Sequence, residues 1–296
     1  MSFWKWLFGK SRLSPGREQG ERGERPSDDG PSLEQHLDYL NSLRLPAIAL
    51  SPTDGPVLSR IGGLPSLPDG VPWPEWNGKP LAFLCQFDLS EIPNYCDRNG
   101  LPQTGMLYFF YAQDQDTWGG DPKDKGSWRV IYAAAAVNGA PRPAPAALDK
   151  HCVFEEKPVA FVSVETYPDW QDDRVEALGL SDKQSDQYFD LCANVFKDVP
   201  AHHLFGYPAP VQDNDMDLDC QLVANGIDLG GPAGFQDPRR KELEPGRRDW
   251  ILLLQLDTDD DTHMMWGDAG MLYFWIRKQD LQARRFDRCW MILQCG

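Results

Sequence analysis

The stretch Ala82-Phe-Leu-Cys-Gln86-Phe-Asp88-Leu, followed after a turn-rich insert by Gly105-Met-Leu-Tyr-Phe-Phe110, returns later in the chain. It returns as Ile251-Leu-Leu-Leu-Gln255-Leu-Asp257 and, after an acidic insert, Gly270-Met-Leu-Tyr-Phe-Trp275. Met-Leu-Tyr-Phe is identical in both places, and Gln-x-Asp closes the apolar run before each. Short runs rich in aliphatic and aromatic residues, bounded by Gly and Asp, read as buried strands joined by a loop. Trp128–Ala133 and Arg288–Leu293 add a third strand to each unit. The expected fold class is therefore α+β: internally duplicated antiparallel sheet units with peripheral helices, because three strands seldom stand alone. The two related halves span about residues 45–150 and 200–296, inside one domain of residues 32–296.

Outward from these units, Ser32 and Gln35 have the spacing of a capping box, and leucines follow at helical intervals until Pro46. Residues 47–50 read as a short strand. Gly62-Gly63-Leu-Pro65 to Trp73-Pro74 is an irregular, ordered loop. Residues 158–166 read as a strand and 169–199 as mostly helical. Residues 215–224 read as a helix ended by Asn225-Gly226. Residues 239–248 form a basic loop in an acidic protein.

The chain has 296 residues, 41% hydrophobic and 11% aromatic, enough to bury a core. Its formal charge of −16 repels phosphate backbones and argues against nucleic acid as a partner. The same charge suits a basic protein or a cation. Seven cysteines with no C-x-x-C spacing make a poor disulfide framework and suggest a reducing compartment. Residues 1–31 read as a tail and linker, rich in Gly, Pro, Ser, Arg and Glu after its first turns. At its start, Phe3, Trp4, Leu7 and Phe8 share one helical face beside Lys5, Lys10 and Arg12. Such a face could rest weakly on an anionic membrane surface, which would place the protein at the periphery of the inner membrane face.

Several motifs in order resemble the YwqG-like family, a bacterial domain of unknown function. They are Gly62-Gly-Leu-Pro65 followed by Trp73-Pro74, Leu84-Cys-Gln-Phe-Asp-Leu89, Gly105-Met-Leu-Tyr-Phe109, His203-Leu-Phe-Gly-Tyr-Pro208 and Met265-Trp-Gly-Asp268. The resemblance covers about residues 45–296. It implies a mixed α and β fold with internal duplication and a cytoplasmic setting, and brings no catalytic residue or cofactor.

No nucleophile elbow, zinc-protease motif or phosphate-binding glycine loop is present, so the reading leans away from an enzyme. Two constellations stand out. Asp257, Asp259, Asp261 and Asp268 follow the one, three, five and twelve spacing of a calcium loop, although position six is Thr262 and the loop follows a strand. That spacing makes a divalent-cation site, or a metal-dependent hydrolase, the alternative function, with calcium the cation it would suit; otherwise no cofactor is expected. Trp73, Trp118, Asp121 and Trp266 sit in turns where aromatic and acidic groups could line a ligand cleft. Charge and the missing catalytic motifs favour a non-enzymatic acidic interaction protein that neutralises a basic protein partner, such as a toxin.

Overall fold

The computed structural model describes residues 31–134, 140–197 and 199–296. The expectations for Phe3, Trp4, Leu7 and Phe8 and for residues 1–30 lie outside the described residues. Eleven strands form one mostly antiparallel sheet. They are β1 (Leu45–Pro52), β2 (Arg60–Ile61), β3 (Glu75–Trp76), β4 (Lys79–Asp88), β5 (Met106–Ala112), β6 (Trp128–Ala133), β7 (Lys157–Thr166), β8 (His203–Phe205), β9 (Trp250–Asp257), β10 (Met271–Arg277) and β11 (Trp290–Gln294). The order across the sheet is β11-β10-β9-β8-β1-β7-β2-β4-β5-β6, with β3 paired to β4 at the side. The sequence places the hairpins β4–β5 and β9–β10 correctly. It does not anticipate that β1 and β7 pair at the centre of the sheet, where β1 reaches forward to β8 and β7 back to β2.

The two ends of the sheet fold back on one another. Phe109 of β5 meets Phe274 of β10 edge-on at 5.1 Å, and Trp128 meets Trp290 at 4.9 Å. Trp128 donates its indole N–H to the Cys289 carbonyl, and Trp290 donates to the Gly119 carbonyl. Gly119 has φ +83°, and a Cβ there would lie 1.9 Å from the Met291 carbonyl oxygen, so only glycine lets this loop close on β11. The inner faces of both hairpins therefore bury each other. The outer face of the first hairpin is covered by loops, which explains why β4 and β5 are apolar along nearly their whole length.

The recurring Gln is explained by its bonds. Gln86 lies opposite Tyr108, accepts from the Ser66 N–H at 2.8 Å and donates to the Leu58 carbonyl at 2.9 Å, while the Tyr108 hydroxyl donates to the Ser66 carbonyl at 2.7 Å. Gln255 lies opposite Tyr273, accepts from the Ala209 N–H at 2.8 Å and donates to the Ala201 carbonyl at 2.9 Å, while the Tyr273 hydroxyl donates to the Ala209 carbonyl at 2.7 Å. Each fully buried amide satisfies the backbone of the loop that crosses its strand. A bulge interrupts each hairpin, between Phe83 and Cys85 in one and Phe274 and Trp275 in the other.

The helices are peripheral. Asp182–Ala193 starts with a capping box from Ser181 and Gln184, and packs Tyr188 with Leu33, Leu40 and Val175 in a satellite cluster. At Ser32 the expected capping box is replaced by a 3-10 turn, Leu33–His36, in which the Ser32 side chain accepts from the Glu34 N–H. The helix Met216–Val223 ends at Asn225-Gly226 as its sequence predicts, with Gly226 at φ +85°. All seven cysteines are free, and six are buried. No described helix is long and apolar enough to cross a membrane.

Candidate functional site

On the outer face of the second hairpin lies a cavity of about 290 Å3. Its wall is supplied by the start of β1 (Leu45), the end of β8 and the turn after it (Phe205, Gly206, Tyr207), the start of β9 (Trp250, Leu252) and Trp275 of β10. Comparison with the first hairpin shows why the space exists. Phe110 follows Met-Leu-Tyr-Phe as Trp275 does, but Trp73 lies edge-on against Phe110 at 5.8 Å and donates its indole N–H to the Leu81 carbonyl. Pro72 and Pro74 hold Trp73 there, over the first hairpin. The matching face of the second hairpin is the cavity. Trp275 is 6% exposed, and its indole Nε1–H is buried without a hydrogen-bond partner. A buried donor left unpaired costs about 1–3 kcal/mol, a cost the fold bears beside the cavity.

The backbone at the wall is also unusual. Phe205 has φ +60° and Gly206 φ +71°, while in the first half the comparable pair is Gly62 and Gly63, at φ +68° and +71°. A bulky residue in the left-handed region stores strain of about 1–3 kcal/mol, of the kind that concentrates at functional sites. The His203 ring fixes this turn: its Nδ1–H donates to the Phe205 carbonyl at 2.8 Å, and it stacks on Phe196 at 5.0 Å. Burial pushes the His203 imidazole down to about 4, so it stays neutral in the native state.

Two arginines stand at the rim. Arg174 grips Asp172 with two bonds of 2.7 and 2.8 Å and reaches the Tyr207 hydroxyl at 3.0 Å. Arg247 lies in the 3-10 turns Glu244–Asp249, where the sequence suggested a loop, and binds Asp217 at 2.6 and 2.9 Å and Asp215 at 2.8 Å. Both guanidiniums are held above their ordinary value, chiefly by these side-chain hydrogen bonds. Arg277 lies over the Trp250 ring at 4.6 Å. Beside the rim, Asp213, Asp215, Asp217 and Asp219 alternate along the approach to and first turn of the helix Met216–Val223. Burial, then the charges of Asp213 and Asp215, push the Asp219 carboxyl up to about 7, against the opposing pull of Arg240. At the lining itself Asp172 and Asp217 are matched by Arg174 and Arg247, and Asp213, Asp215 and Asp219 stand beside it.

The sequence did not single out Tyr207, Trp250, Trp275, Arg174 or Asp217. The alternating aspartates and the lone basic loop were the signals available. Of the residues it did single out for a ligand cleft, Trp73 covers Phe110, as described above. Trp266 is 1% exposed, packs against Tyr111 and Phe154, and donates its indole N–H to the Asp257 carbonyl. Trp118 is 45% exposed, and its carbonyl accepts from the Leu293 N–H. Asp121 caps the 3-10 turn Pro122–Asp124 through the Lys123 N–H. The Trp118 and Trp266 turns do approach one another, with the Gly267 N–H 3.4 Å from Gln115 Oε1, but one indole faces solvent and the other is in the core.

In the acidic loop, the Lys157 ammonium from the start of β7 bonds Asp259 at 2.9 and 3.1 Å and Asp261 at 2.8 Å. It occupies the place between carboxylates that a cation would take. The Asp257 side chain accepts from the Ala201 N–H at 2.9 Å, and Asp268 is exposed. No group of three or more His, Cys, Asp or Glu able to hold a metal occurs among the described residues. His202 accepts from the Asp257 N–H through Nδ1, so its Nε2 carries the proton and faces Asp259 at 3.4 Å. Burial opposes charge on Asp259, yet His202 and Lys157 together hold its carboxyl well below the usual range. For Lys157, burial pulls down, but Asp261 and Asp259 outweigh it and push the ammonium up.

A family profile described as Domain of unknown function (DUF1963) matches residues 59–295. The chain belongs to the DUF1963 family. The match takes in β2 to β11 and so both hairpins, the cavity and the Lys157 cluster; β1, which lines the cavity at Leu45, precedes it. DUF1963 carries no assigned activity in its description, which agrees with the uncharacterised domain that the motifs resemble. No curated protein matches the chain.

Proposed function

We propose that this DUF1963 protein is a non-enzymatic binding protein, and that its cavity between Phe205, Tyr207, Trp250 and Trp275 receives a basic segment of a protein partner. The observation that carries the reading is the pairing of an unplugged aromatic cavity, with Asp172 and Asp217 in its lining, with the further carboxylates Asp213, Asp215 and Asp219 beside it. A cationic side chain gains from the aromatic faces and from the aspartates. The net charge of −16 would speed the approach of such a partner, at rates that fall with salt. A basic toxin is a partner of this chemistry, and the bacterial cytoplasm is the setting that the YwqG-like resemblance implies. We further infer that the two halves descend from one duplicated unit. The paired Gln and Tyr bonds and the bulge in each hairpin support that reading, with the cavity as the place where the copies have diverged.

Isothermal titration of the protein with an arginine-rich dodecapeptide tests the binding reading. Asp215→Asn with Asp217→Asn is expected to weaken binding by about tenfold, the loss of one or two charge-assisted bonds. Equal affinity of the variant and the wild type would contradict it.

A further inference from the structure

A second concavity, of about 830 Å3, lies apart from the first, on the helical segment between the two halves. Val175, Leu180, Tyr188 and Phe189 contribute its apolar surface, and Glu176, Asp182 and Asp186 stand exposed at its edge. The helix Asp182–Ala193 forms one wall, and the helical turn Asp173–Glu176 borders both spaces, with Arg174 on the cavity and Val175 and Glu176 on the groove. Two bonds bring the beginning of the described chain to this helix. The Leu33 N–H donates to Gln187 Oε1 at 2.8 Å, and Gln184 Nε2 donates to the Ser32 carbonyl at 3.2 Å.

We propose that the groove is the docking site of the chain's own residues 3–12. Phe3, Trp4, Leu7 and Phe8 supply an apolar face, and Lys5, Lys10 and Arg12 a positive charge with no acidic residue among them. The groove offers the complement, an aromatic floor with a carboxylate edge. Residues 13–30 join the two, and their far end is already tied to the groove's wall at Ser32 and Leu33. As the linker their composition predicts, they reach about 20–25 Å, enough to hold the segment near the groove at an effective concentration of about millimolar. Weak intrinsic affinity then suffices for docking. While docked, the aromatic face is withheld from other surfaces, membranes included.

Hydrogen exchange on the full chain tests the proposal. Replacing Phe3, Trp4, Leu7 and Phe8 together by Ser is expected to speed amide exchange in residues 176–190 by about threefold or more, with β4 and β9 unchanged. Asp182→Lys with Asp186→Lys should do the same, and should raise binding to phosphatidylglycerol vesicles above that of Asp54→Lys with Asp69→Lys. That control makes the same charge change at exposed sites elsewhere. Unchanged exchange in the serine variant would overturn the proposal whatever the lysine variant does. Protection that fades on dilution would assign the groove to a second copy. Vesicle binding equal in the two lysine variants would assign the segment to membranes alone.

Discussion

Asp219 and Lys157 each tie a charge to the stability of the fold. Asp219 holds its proton up to about 7 in the native state but releases it near 3.8 when unfolded. Between those values the native state binds the extra proton, so stability falls as pH rises from about 4 to 7. Asp219→Asn should remove that loss and stabilise by about 2 kcal/mol at pH 8, roughly half of what the full shift implies because the group is partly solvated. Thermal midpoints of the variant and wild type should converge near pH 4; a constant gap at both pH values would refute the charge explanation. His203 acts in the opposite sense. Its imidazole protonates near 6.5 when unfolded but only near 4 when native, so stability drops as pH falls through that window. Lys157→Ala leaves Asp259, 2% exposed, facing His202 alone, and should cost about 3–5 kcal/mol in urea melts. Lys157→Met with Asp259→Leu should recover part of it. Because the ammonium already sits between Asp259 and Asp261, millimolar calcium is expected to leave the wild-type midpoint unchanged, and a rise would favour the cation reading.

The hairpins are the elements on which both halves depend. Gln86→Leu strands the Ser66 N–H and leaves the Leu58 carbonyl only the longer bond from Arg60, and Gln255→Leu strands the Ala209 N–H and the Ala201 carbonyl. Each should destabilise by about 2–4 kcal/mol, and by similar amounts, as chemical denaturation would measure. A cost confined to one of them would show that the shared bonds do not serve the two halves alike. Hairpin identity was legible because Gln-x-Asp and Met-Leu-Tyr-Phe recur in order. The cavity was not, because Trp250 and Trp275 sit in apolar strand runs where an indole normally packs. Only the position of Trp73, far away in sequence, shows that one hairpin is plugged and the other open. Nor could spacing reveal Lys157: the one, three, five and twelve aspartates depend on what folds between them, and that is a strand distant in the chain.

At the scale of the whole molecule, the exchange of β1 and β7 at the sheet's centre ties the halves together. β1 precedes the first hairpin but pairs with β8, and β7 pairs with β2, so neither half has a complete sheet alone. Hydrophobic periodicity gives the strands but not their neighbours, which is why this pairing was invisible beforehand. Its consequence for function is placement. β1, β8, β9 and β10 meet at the cavity, so the site exists only when both halves are folded. The Trp275 indole therefore reports directly on the central claim. Its N–H signal should be followed in nitrogen-15 NMR spectra during titration with the arginine-rich dodecapeptide. The account predicts a saturable movement of that signal as the segment packs against the ring that lines the cavity, at the same midpoint as the calorimetric binding. A Trp275 signal that stays still while the peptide binds would place the basic partner elsewhere and contradict it.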